Sequence, residues 1–156
     1  MRIYLLRHGQ SLSALEAKVK KDADRPLSDQ GRRDVERMAR FLVDRGAAPG
    51  LILHSPLKRA TQTAGEAARA WEAPPPLEAF TPLSNELGPE DLLAAIRKRS
   101  TGLAEVLAVG HQPQLGEFAQ FLTGESFALR PGGLIALETS DSGARKLWSF
   151  NPEDLP

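Results

Sequence analysis

Two of the three histidines of this 156-residue chain stand just past short apolar runs, His8 in LLRHGQS and His111 in VGHQP. Both have cationic neighbours within reach of a common edge. Arg7 directly precedes His8, and Arg59 lies in HSPLKRATQTA, residues 54 to 64, which follows another apolar run. Two imidazoles and two guanidiniums around one pocket describe an anion site, because guanidinium forks bind phosphate oxygens bidentately and keep their charge at any working pH. A histidine can also act as a nucleophile. A phosphoryl group moving to its ring nitrogen builds charge on the equatorial oxygens, which fixed cations stabilise. Neighbouring arginines disfavour imidazolium and keep such a histidine neutral until substrate arrives.

These clusters meet only if the elements carrying them are aligned. Residues 2 to 6, RIYLL, are expected to form a buried strand, 51 to 54 a second, and 104 to 109, AEVLAV, a third. A further short strand fits 77 to 80, and 134 to 138 with 145 to 150 fit a hairpin turning through Asp141-Ser142-Gly143. Ser28 can cap a helix from Asp29, with Val35, Met38, Ala39 and Leu42 at helical spacing and Gly46 as the stop. Ser55-Pro56 offers a cap and first-turn proline for a helix running to about Trp71, with Ala60, Ala64, Ala67 and Ala68 on one face. Pro89 opens a helix carrying Leu92, Leu93 and Ile96, and another spans about 114 to 122. Residues 12 to 27, with Lys18, Lys20 and Lys21, form a loop with at most a helical turn, either a connector or a substrate-facing flap.

Alternating strands and helices predict a three-layer α/β sandwich: a mainly parallel central sheet, helices on both faces and an antiparallel hairpin at the C-terminal edge. The chain is expected to be one domain over residues 1–156, without repeats or linkers. In such sheets ligands bind beyond the carboxyl ends of the strands, where Arg7-His8, Ser55 to Arg59 and His111 all fall. Lys+Arg and Asp+Glu balance at 20 each, so no global charge attracts nucleic acid or an anionic membrane. The chain has no cysteine and no apolar stretch long enough for a signal peptide or membrane span; a cytoplasmic location is expected.

At these residues the chain resembles the histidine phosphatase superfamily, also called phosphoglycerate mutase-like. The likeness rests on Arg7-His8-Gly9 as an RHG motif after the first strand, on HSPLKRATQTA and on VGHQP, with RPLSDQG at 25 to 31 also familial. The resemblance implies that His8 is the nucleophile of a covalent phosphohistidine intermediate and that Arg7, Arg59 and His111 hold the phosphoryl oxygens. Within the superfamily the chain is most similar to compact SixA-type phosphohistidine phosphatases, because the residues between Arg59 and His111 leave no room for a cap. An open site suits phosphohistidine on a protein, such as a histidine phosphotransfer domain, better than a small metabolite. Imidazole also leaves more readily than an alkoxide, which lessens the need for an acid.

The alternatives are a small-molecule phosphomonoesterase acting on a sugar or nucleotide phosphate, and a non-catalytic phosphohistidine-binding module. A mutase ranks last because it would need a cap against water. Gly9, Gln10, Ser11 and Ser55 are candidate phosphate contacts, although Gly9 also suits a turn and Ser55 a helix cap. Glu86, in NELGPED, is the candidate proton donor, but it reads first as a surface carboxylate before a helix. His54 lies inside a strand and is expected to be structural. No metal or other cofactor is expected, since the histidines lack a carboxylate partner and zinc-type spacing.

Overall fold

The computed structural model describes all 156 residues. Its strands are β1 (Arg2–Arg7), β2 (Ile52–His54), β3 (Leu77–Ala79), β4 (Glu105–Gly110), β5 (Leu134–Ser140) and β6 (Gly143–Phe150). They form one mixed sheet in the order β3-β2-β4-β1-β5-β6. The first four in that order are mutually parallel, and β5 and β6 continue the sheet as an antiparallel hairpin. The helices are α1 (Ala14–Ala17), α2 (Asp29–Asp44), α3 (Lys58–Ala68), α4 (Pro89–Arg99) and α5 (Gln114–Thr123). None is long and apolar enough to cross a membrane.

The sheet is buried on both faces, which is why its central strands are apolar throughout. Tyr4 and Leu6 of β1 pack with Val35, Met38 and Leu42 of α2 and the alanines of α3. Ile3 and Leu5 point the other way, onto Leu92 and Ile96 of α4 and Leu115 and Phe118 of α5. The two-residue alternation of the strand thus divides one apolar run between two cores.

Local signals set most element boundaries. Ser28 caps α2 by accepting from the Gly31 N–H at 3.0 Å, and Gly46 leaves the helix at a φ of 81° that suits glycine. Helix α4 opens on Pro89, with Glu90 and Asp91 in its first turn and Arg97 to Arg99 in its last, matching the helix dipole. Two expectations need correction. Helix α3 starts at Lys58 with Leu57 in the cap position, so Ser55 is not its N-cap. The helix also ends at Ala68, after which the N–H groups of Ala70 and Trp71 bond three residues back and tighten the chain.

Register aligns the ends of the parallel strands. Arg7 pairs with Gly110 across β1 and β4, and His54 pairs with Val109 across β2 and β4. The ladder runs one step further, from His8 N–H to the Gly110 carbonyl and from Ser55 N–H to the Val109 carbonyl, each at 3.0 Å. Residues 8, 55 and 111 therefore leave the sheet side by side.

The loop leaving β1 is clamped onto the start of α2. Ser28 N–H donates to the Gln10 carbonyl at 2.9 Å, and a Cβ on Gly31 would overlap that same oxygen. A Cβ on Gly9 would come within 2.9 Å of both the Gly31 carbonyl oxygen and Val35 Cγ2. These glycines allow a backbone-to-backbone approach that a side chain would prevent. Gly31→Ala is expected to cost about 1–3 kcal/mol in urea unfolding, because a hydrogen-bonded loop must shift to accept the methyl group. Unchanged stability would show that the clamp is soft.

Candidate active site

His8 is buried beside the pocket, with Nδ1 2.8 Å from the Gly9 carbonyl oxygen. A carbonyl can only accept, so Nδ1 carries the hydrogen, and the lone pair of the neutral ring lies on Nε2. Burial pushes the His8 pKa down to about 4 against the hydrogen bond to Gly9, which raises it, and His111, Arg59 and Arg7 add to the lowering. His111 follows β4, and its ring centroid lies 5.1 Å from that of His8. It too is held down to about 4, by burial first and then Arg59 and Arg7, while Asp22 acts in the opposite sense. Its Nε2 is hydrogen-bonded to Ser55 Oγ at 2.7 Å, and that oxygen accepts from the Leu57 N–H at 3.2 Å.

Arg7 donates from Nη1 to the Leu129 carbonyl at 2.9 Å, and its Nε is buried without a protein partner. Burial lowers its pKa, but a guanidinium remains charged in proteins. Arg59, on the first turn of α3, is held by residue 22: Nη1 donates to the Asp22 carbonyl at 2.9 Å and Nη2 to its carboxylate at 3.0 Å. Thr63 ties this turn to the loop that follows β1. Its hydroxyl donates to the Arg59 carbonyl at 2.7 Å and accepts from the Gly9 N–H at 3.0 Å.

The structure brings Arg7, His8, Arg59 and His111 to the lining of one cavity of about 580 Å³, in which Leu57 and Pro131 are the only apolar side chains. Gln10 and Ser11 line it too, each with a protein partner: Ser28 Oγ donates to the Gln10 side-chain oxygen at 2.9 Å, and Arg25 donates to Ser11 Oγ at 2.9 Å. Gly9 and Ser55 do not line it. Gly9 is packed against α2, and Ser55, fully buried, holds His111 instead. His54 is buried at the end of β2, away from the lining.

Glu86 does not reach the cavity and is solvent-exposed. Its neighbour Asn85 takes that position, with a φ of 71° and side-chain bonds to the Gln112 carbonyl and the Gln114 N–H. That left-handed turn ties residue 85 to the start of α5 and leaves residue 86 outside.

Sequence reasoning missed Asp22, Arg25 and Asn85 among the lining residues, and with them Leu57, Ser84, Gln112 and Pro131. Residues 12 to 27 are more than a connector, since Ser11, Asp22 and Arg25 from this stretch and its edge form one wall. The available signal was the Asp22/Arg25 pair, three residues apart within a basic loop and bonded at 2.9 Å. The site thus combines fixed guanidinium charge with two neutral imidazoles, of which His8 has its unprotonated nitrogen at Nε2, a set able to bind an anion and to offer a nucleophile to it.

Residues 3–80 match the histidine phosphatase superfamily (branch 1). An uncharacterized Picosynechococcus protein is 34% identical over 160 residues, covering 99% of this chain and 93% of that protein. Phosphohistidine phosphatase SixA of Escherichia coli K12 is 29% identical over 160 residues, covering 99% of this chain and 96% of that enzyme. The solved structure of the protein histidine phosphatase SixA complexed with tungstate superposes with a TM-score of 0.89 over the whole of both chains at 24% identity, a likeness of fold.

The depressed histidines make a stability prediction. Unfolded histidine titrates near 6.5, so between about 6.5 and 4 the unfolded chain binds protons that the folded site refuses. Stability is full above that window and falls through it as pH falls, by on the order of a few kcal/mol for the pair. Urea unfolding at several pH values should show this slope, and His8→Asn with His111→Asn should flatten it. An equally steep slope in the double variant would assign the effect to other groups.

Proposed function

Because the chain belongs to the histidine phosphatase superfamily, we propose that it removes phosphate from phosphohistidine on a protein through a covalent intermediate on His8. The observation that carries this reading is the His8 Nδ1 contact with the Gly9 carbonyl at 2.8 Å, which leaves Nε2 unprotonated within the arginine-lined cavity.

Nε2 bonds to phosphorus as the bond to the leaving group breaks, and the pair of that bond departs with the leaving group. Arg7, Arg59 and His111 stabilise the charge that spreads over the equatorial oxygens. The phosphorylated His8 ring is cationic, and the Gly9 carbonyl accepts from its Nδ1–H. A water oxygen then bonds to phosphorus, the pair of the phosphorus–Nε2 bond returns to His8, and the proton of the water passes to phosphate or solvent. Ser55 fixes the His111 ring, and Thr63 keeps the Arg59 turn in register with the nucleophile loop.

The almost wholly polar lining supports a protein-borne substrate. Small-metabolite sites usually have largely apolar walls that bury most of the ligand, whereas this cavity has only Leu57 and Pro131. The span from Arg59 to His111 is taken up by α3, β3, α4, β4 and a short 3-10 turn at Thr81–Leu83, with no inserted cap.

His8→Ala is expected to lower turnover by about a thousandfold or more, and wild-type enzyme quenched during turnover should carry acid-labile label on His8. Active enzyme that never becomes labelled would overturn the intermediate. Phosphate release from a phosphorylated histidine phosphotransfer protein should exceed that from sugar and nucleotide phosphates in kcat/KM. The reverse ranking would identify a metabolite esterase, and saturable binding without release from any substrate a binding module.

A further inference from the structure

Asp22 is the only carboxylate in the lining of the cavity. Near a dianionic phosphoryl group a carboxylate is repelled, yet this one is held firmly in position. Arg25 Nη1 donates to Oδ1 at 2.9 Å and Arg59 Nη2 donates to Oδ2 at 3.0 Å. Arg25 is itself anchored through Nε to the Leu12 carbonyl at 2.8 Å and through Nη2 to Ser11 Oγ at 2.9 Å. Hydrogen bonds from Arg25 and then Arg59 hold the Asp22 carboxyl below its usual range, so it is ionised and has no proton to give an alkoxide.

Orienting Arg59 does not by itself require a charge, since the backbone carbonyl of residue 22 already accepts from Nη1. An ionised carboxylate adds the ability to stabilise a cation. The Asp22 side chain is 65% exposed, at the cavity mouth, and each oxygen retains an unused lone pair. A phosphohistidine ring protonated on the nitrogen that does not carry phosphorus is such a cation, with an N–H to donate.

We propose that Asp22 matches this site to a nitrogen leaving group: its carboxylate accepts a hydrogen bond from the protonated ring of a phosphohistidine substrate and favours the form that departs. The inference rests on the phosphohistidine reading above. The ring takes its proton from solvent before transfer. As His8 Nε2 bonds to phosphorus, the pair of the phosphorus–nitrogen bond stays on the substrate nitrogen. The proton remains on the other nitrogen, and neutral imidazole leaves. With an ester, negative charge grows on the leaving oxygen and meets the same carboxylate, so Asp22 opposes that reaction.

Asp22→Asn removes the charge and leaves one acceptor oxygen where two guanidinium donors, of Arg25 and Arg59, are held. The ratio of kcat/KM on a phosphohistidine peptide to that on p-nitrophenyl phosphate is expected to fall about tenfold or more, the loss of one charge-assisted hydrogen bond. Orthovanadate affinity reads any displacement of Arg59, which weighs on both substrates alike. A parallel fall on both substrates would reduce Asp22 to a prop for Arg59 and overturn the proposal. Undiminished peptide turnover would overturn it as well. Wild-type protein that hydrolyses the aryl ester but not the peptide would overturn the substrate reading, and this inference with it.

Discussion

The parallel pairing of β1 with β4 and of β4 with β2, in matched register at their carboxyl ends, is the constraint on which the site depends. Arg7 sits opposite Gly110 and His54 opposite Val109, so His8, His111 and Ser55 emerge as neighbours. In a half-buried sheet a slip of one residue would turn each side chain to the other face. Here both faces are filled, by α2 and α3 on one side and by α4 and α5 on the other, so a slip would disrupt two cores at once. Packing far from the pocket thus sets the 5.1 Å spacing of the two imidazoles.

On that frame the electrostatics divide between fixed and adjustable charge. Arg7 and Arg59 supply permanent positive charge, while burial keeps His8 and His111 neutral. Backbone carbonyls hold most of the pieces: that of Gly9 faces His8, that of Leu129 receives Arg7 and that of Asp22 receives Arg59. Carbonyls place donors without adding a full negative charge that would compete with an anion. The Asp22 carboxylate departs from this pattern, and so it is the group most suited to sensing what leaves rather than what is transferred.

The mainly parallel sheet with its antiparallel edge hairpin and several helix limits were legible because local chemistry and tertiary packing agree there. Ser28 caps α2, Pro89 opens α4, and the β5–β6 hairpin turns at Asp141-Ser142. Ser55 was misread because its cap signal is local, whereas its partner His111 is 56 residues away. Gly9 looked like a phosphate contact, but the oxygen it must approach belongs to Gly31. Asn85 rather than Glu86 lines the cavity because residue 85 is left-handed, a φ that cannot be read from the letters around it. Asp22 and Arg25 sat in a loop without periodicity, where side-chain direction depends on what the loop packs against.

Apolar runs, motif order and the family resemblance were enough to name Arg7, His8, Arg59 and His111 as the candidate quartet, because a nucleophile and its cations are sought by residue type and by position at a strand end, and the structure places all four at one cavity. Only the tertiary structure decided how those groups are held and what else joins them. The grip of Ser55 on His111 and the bond from Arg59 to Asp22 join residues remote in sequence, and the local contacts of His8 with Gly9 and of Arg25 with Asp22 depend on how their loops are folded. Those contacts follow from sheet register and loop packing, which no single segment encodes.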